Sequence, residues 1–152
     1  MILKSLYALI ATLGFGILFN IKGKNLIFAS IGGAITWYVY LLVLNTTAST
    51  LAALLIASIS AGIYSEIMAR ILRAPVTIFS ICAIIPLVPG GGMYYTMLAS
   101  VQGNINEFLS TGINTFSSAG AIAVGILVAS SFTRLLLVTE SYIRNTSSKK
   151  SL

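Results

Sequence analysis

The chain has no histidine, no aspartate and a single cysteine, and its only acidic residues are Glu66, Glu107 and Glu140. These absences exclude most catalytic chemistry. A His-based triad has no base, a paired-carboxylate site has no second acid close in sequence, and a metal cluster has too few ligands. Serine and threonine are plentiful, but a hydroxyl without a base is a weak nucleophile, and in an apolar helix it bonds its own backbone. The expectation is therefore no enzyme, no cofactor and no metal. Cys82 cannot form an intramolecular disulfide and reads as a small core residue. Charge is equally scarce, at 8% of residues against 57% hydrophobic. No soluble domain of this size has that balance.

What is present is a series of long apolar segments. Five fit a helical crossing of a ~30 Å hydrocarbon layer: 2–19, 26–44, 50–69, 76–101 and 111–138. Their continuous apolarity contrasts with the polar/apolar alternation of barrel strands. The fold class expected is an all-α integral membrane protein with five transmembrane helices over 1–140, followed by a basic cytoplasmic tail over 141–152. Its end, 147–152, is expected to be disordered, either solvated or touching anionic headgroups.

The net charge of +6 would suggest nucleic acid in a soluble protein, but here the cations report topology, and no nucleic-acid partner is expected. With five spans, Lys22, Lys24, Arg70, Arg73, Arg134, Arg144, Lys149 and Lys150 fall on or near one side, and only Lys4 on the other. The positive-inside rule then places the N-terminus outside and the C-terminus in the cytoplasm. Lys4 before an apolar run resembles a signal peptide, but no small-x-small site ends it, and its removal would leave the charge distribution unexplained.

The fourth segment is interrupted by Pro86-Leu87-Val88-Pro89-Gly90-Gly91-Gly92. The two prolines lack amide donors and clash with the preceding turn, and three glycines resist helix formation. Hydrocarbon cannot satisfy the freed backbone groups, so such a break persists where it is buried in protein or lines a cavity, as in transporters that bind substrate near the midplane. The flanking pieces 76–85 and 93–101 would each span about 14 Å. The second would begin after the glycines, turning the free amides of Gly91, Gly92 and Met93 toward the gap as carboxylate donors. Tyr94 and Tyr95 follow in its first turn, where one phenol could orient a substrate or both could pack across the break. The alternative is a proline-kinked helix with nothing bound.

Small residues recur every fourth position at Ser49, Ala53, Ala57, Ala61 and Ser65, and again at Ser117, Ala121, Gly125 and Ala129. Such seams let helix backbones approach closely, within the chain, between copies or against another subunit. Trp37, Tyr38 and Tyr40 suit the headgroup boundary. The segment 102–110, with Gly103, Asn104 and Asn106, reads as the longest loop, and Glu107 marks exposure to water. Glu66 is the one candidate for proton coupling. It lies four residues before Arg70, so an interfacial ion pair is the competing reading.

The string Ile85 to Met97, with its Pro-x-x-Pro-Gly core, resembles the signature of the threonine/serine exporter family. In more detail the chain is similar to the small, split subunit of that family, a type that includes a component of a bacterial succinate exporter. Gly14-Phe15, Phe19-Asn20 and Ala74-Pro75 agree with this. The resemblance implies a secondary exporter in the bacterial cytoplasmic (inner) membrane. It also implies a larger membrane partner of the same family, since single-chain members carry a soluble region and two membrane halves.

The reading that follows is a subunit moving a small carboxylate-bearing metabolite outward, serine or threonine first and a dicarboxylate such as succinate second. Pro86, Pro89, Gly90, Gly91, Gly92, Met93, Tyr94 and Tyr95 form the expected substrate site, with Glu66 as coupling candidate. The lipid bilayer is the remaining expected partner. The competing readings are a non-transporting subunit that stabilises a larger transporter, and a homo-oligomeric channel.

Overall fold

A computed structural model describes the backbone of residues 1–149 and the side chains of residues 1–133. The side chains of the basic tail expected over 141–152, and the backbone of 150–152, lie outside the described residues, as does the side chain of Arg134. Six α-helices follow in order: α1 (Ile2–Leu18), α2 (Lys24–Thr47), α3 (Thr50–Leu72), α4 (Val76–Ile84), α5 (Gly90–Val101) and α6 (Ile105–Lys149). A 3-10 turn at Ile85–Leu87 ends α4. Among the described residues, three helices are long and apolar enough to cross a membrane: α2, α3 and the Ile105–Thr133 part of α6. The first expected span is a shorter apolar helix, and the fourth is a pair of helices bent by 57°.

Local chemistry sets the helix ends. Ala48 and Arg73 adopt left-handed conformations that close α2 and α3, and Ser49 accepts a hydrogen bond from the Ala52 amide to cap α3. Pro75 has no amide hydrogen and can sit only at a helix start, so α4 begins after it. Gly103, with φ of +72°, closes α5 as the Asn104 amide bonds the Ala99 carbonyl. The expected loop at 102–110 is much shorter than its composition suggested. Asn104 accepts from the Glu107 amide and donates to Glu107 Oε2, so a helix starts at Ile105 and Glu107 belongs to its first turn.

Both small-residue seams pack inside the chain. Gly125 of α6 lies against Ser58 and the Leu55 carbonyl of α3, and Gly62 of α3 lies against Ala129 of α6; a Cβ at either glycine would collide. Ala53, Ala57, Ala61 and Ser65 are fully buried. Ser117, at the start of the second seam, is exposed. On the other side of the core, Gly33 of α2 takes Thr12 of α1, and Gly32 takes the Tyr64 ring. The Tyr64 hydroxyl donates to the Phe28 carbonyl at 2.6 Å.

The helices α1 to α4 and the middle of α6 form the bundle, whereas α5 packs along α6. Leu87, Leu54, Ala57 and Ile122 share one buried cluster, which fixes the level of the break. Leu54 and Ala57 are only about 6 to 10 Å from the start of α3, at about 1.5 Å per residue. The break therefore lies toward the Thr50 end of the bundle, which corrects the expectation of a central position. From Ile122 back to Ile105, α6 has about 25 Å of helix, so the α5–α6 hairpin runs on past the start of α3.

Candidate functional site

Only Val88 and Pro89 separate the 3-10 turn from α5, so the unwound segment is shorter than the proline-glycine string. Gly90, Gly91 and Gly92 are helical, which corrects the expectation that α5 follows them. Their backbone needs no special conformation there, because the first turn of a helix leaves its amides unpaired in any case. The Gly90 amide turns back to the Val88 carbonyl at 2.8 Å, and the Met93 amide makes the first helical bond, to the Pro89 carbonyl at 3.1 Å. Met93 is thus not a free donor. The amides without a helical partner are those of Gly91 and Gly92.

Two clefts flank the α5–α6 crossing. The first, of about 580 Å³, is apolar and runs between the end of α4, α5 and α6; Val88, Pro89, Met93, Met97, Phe116 and Ile122 are among its walls. The second, of about 290 Å³, is the more polar of the two, and Pro89 and Gly92 line it together with Tyr95, Glu107, Thr111, Asn114, Thr115 and Ser118. Pro89 belongs to both, so the break is their common edge. At the crossing itself Gly92 abuts Thr115, leaving no room for a Cβ, and Thr96 donates to Thr111 at 3.2 Å. Gly90 and Gly91 face open space.

The two tyrosines stack edge to face with ring centroids 5.3 Å apart. Both are mostly exposed, and Tyr95 is the one that reaches the polar groove. Pro86 lies apart from these, in a third groove of about 340 Å³ with Lys4, Tyr7, Ala8, Ala11 and Trp37. Trp37 also stacks on Tyr40 at 4.9 Å, and both pack on the Leu54–Leu87 cluster. Nearby, the Thr36 hydroxyl is fully buried and makes no hydrogen bond among the described residues. It sits one turn beyond Gly32, whose neighbour on α4 is Ala83, and so lies level with the 3-10 turn. There Pro86 withholds the amide that the Cys82 carbonyl would otherwise accept.

Glu66 is not part of this arrangement. Its Oε2 lies 3.6 Å from Arg70 Nη2, and it is nine or more residues further along α3 than the break, about 14 Å. The structure therefore brings together Pro89, Gly90, Gly91, Gly92, Met93 and Tyr95 and leaves Glu66 in the ion pair.

The polar groove was the feature missed in the sequence. Its signal is the spacing of Glu107, Thr111, Asn114 and Ser118, an i, i+4, i+7, i+11 series that marks one helix face. It is hidden by the apolar average of the segment and by reading 102–110 as loop.

Comparison with known proteins gives one family. The family model described as Threonine/Serine exporter, ThrE, matches residues 4–132. A Haemophilus influenzae protein described only as uncharacterized is 28% identical over 129 residues, covering 80% of this chain and 43% of that protein. The chain thus spans less than half the length of this relative. No solved structure matches.

Proposed function

This chain belongs to the threonine/serine exporter family, and from that premise we propose that it is a subunit of a secondary exporter that moves a small carboxylate-bearing metabolite out across the bacterial cytoplasmic membrane. The observation that carries the reading is the break itself. The Gly91 and Gly92 amides open a helix beside two clefts that meet at Pro89, and a helix start stabilises a carboxylate through its unpaired amides and dipole. Serine or threonine is the first substrate and a dicarboxylate the second.

In this reading α1 and the bent α4–α5 pair join α2, α3 and α6 as five spans, with the N-terminus outside and the Lys22, Lys24, Arg70 and Arg73 side in the cytoplasm. The break is then nearer the outer face. The partner is a larger membrane subunit of the same family, which supplies the wall that α5 lacks. Two facts support a larger partner: among the described residues α5 packs chiefly on α6, and the relative is more than twice as long as the part matched here. The same facts favour a second reading, in which the partner holds the whole pathway and this chain braces it.

Efflux of preloaded, labelled threonine and succinate from proteoliposomes, with and without the larger partner and under an imposed pH gradient, separates the two. Substrate-selective efflux that needs both chains and is lost in Gly91→Leu supports the exporter subunit. Efflux that needs both chains but survives Gly91→Leu supports the bracing role and sinks the carboxylate site. Absence of efflux for either solute with both chains present would reject transport of these substrates.

A further inference from the structure

We propose that the polar groove between α5 and α6 is the outer passage of the transported solute, and that Glu107 makes it select an ammonium-bearing solute over a dicarboxylate. The inference rests on the exporter reading and concerns a part of the molecule which that reading leaves unassigned.

The groove is a polar strip on an apolar hairpin. Met97, Val101, Ile113 and Phe116 project from the same hairpin and are 68%, 84%, 65% and 84% exposed, as befits side chains against lipid or a membrane partner. Glu107, Thr111, Asn114 and Ser118 share the groove instead. Their spacing carries polar groups along about 16 Å of α6, about half the thickness of a hydrocarbon core. Polar groups persist at such positions where they line a wet cavity or pair with protein. The hydroxyls of Thr111, Thr115 and Ser118 bond carbonyls of their own helix, which leaves their oxygens able to accept a further donor. The Asn114 carboxamide offers both donors and an acceptor.

One end of this strip is charged. Among the described residues, Glu107 is the one carboxylate in the groove, and no lysine or arginine is in its walls. Its Oε2 is held by the Asn104 carboxamide at 2.9 Å, which leaves the second oxygen for a ligand. A carboxylate at the mouth of the groove, with no cation among the described walls, attracts an ammonium group and repels the second carboxylate of a dianion. The groove reaches Pro89 and Gly92 at its other end, so a solute released from the break passes the hydroxyls and the amide before it meets Glu107.

The decisive variant is Glu107→Gln. Glutamine serves equally at the third position of a capped helix, so α6 keeps its start while the charge is lost. Efflux of labelled threonine and succinate is measured from proteoliposomes holding this chain and its larger partner, with incorporation quantified for each variant. Wild type should prefer threonine, Glu107→Gln should lower the threonine-to-succinate ratio by at least about tenfold, the lower range of field focusing in a cleft, and Glu107→Asp should retain the preference. Asn114→Leu, which closes the groove with an apolar side chain, should depress efflux of both solutes by a similar factor. A Glu107→Gln ratio within about twofold of wild type overturns the selectivity, and unaltered efflux in Asn114→Leu overturns the passage. Either result leaves the exporter reading standing, whereas failure of wild type to export either solute removes that reading first.

Discussion

Gly91 and Gly92 are adjacent and do different work. Gly92 is held against Thr115, while Gly91 faces open space, so only the former is a packing residue. Gly91→Leu should therefore insert and fold normally and reduce efflux by at least about tenfold by covering the two unpaired amides; comparison of efflux with membrane incorporation tests this. Gly92→Leu should instead disturb the α5–α6 crossing and lower stability by about 1–3 kcal/mol. Thr36 offers a test of another kind. Ser5, Thr12, Ser30, Ser58 and Ser65 are buried like it, and each bonds a carbonyl of its own helix or helix start. With its hydroxyl orphaned, Thr36→Val should raise stability by about 1 kcal/mol, read as a higher midpoint of thermal unfolding in detergent.

Helix pairing rests on the absence of side chains. At Gly125 and Gly62, α3 and α6 approach so closely that a Cβ on one meets the other. Gly125→Val should cost about 3 kcal/mol or more by overpacking, whereas Gly120→Ala, with no neighbour within 4 Å, should be neutral or stabilising by up to about 1 kcal/mol. Thermal unfolding of the two variants side by side checks the seam. The α5–α6 hairpin depends on a cap: Asn104→Ala should destabilise the start of α6 by about 1 kcal/mol, seen as faster amide exchange from Ile105 to Leu109. These elements show what was readable beforehand. The repeats at Ala53, Ala57 and Ala61 and at Gly125 and Ala129 mark two close-packing seams, because periodicity is local information, but that the seams face each other is a tertiary fact the repeats do not contain. Asn104 and Glu107 were read as loop and solvent, although three residues apart they spell a helix start. The helical state of the three glycines was not readable, since a break and a helix beginning use the same residues. Nor was the level of the break, because register between Leu87 and Leu54 is a tertiary fact that no run length contains.

At the level of the whole molecule, the orientation proposed above makes a prediction about sidedness. The turns at Lys22 and at Arg73 close one end of the bundle, and the turns at Ala48 and Gly103 close the other. A membrane-impermeant maleimide should label Gly103→Cys on intact cells and Lys22→Cys only after permeabilisation, with native Cys82 silent because it is buried. The reverse pattern would invert the orientation and with it the direction in which the α5–α6 hairpin points.

The lengths of the helices differ in a way that bears on the bilayer itself. The helix α3 has 23 residues, about 34 Å of helix, while α1 has 17, about 25 Å. No single thickness of hydrocarbon matches both. A thick bilayer suits α3 and pulls lipid past the ends of α1; a thin one suits α1 and forces α3 to tilt, and α6, packed on it at Gly62 and Gly125, carries the hairpin and its groove with it. With α1 as a span, as proposed above, acyl-chain length becomes a mechanical input, and activity in reconstituted membranes should pass through an optimum as that length is varied.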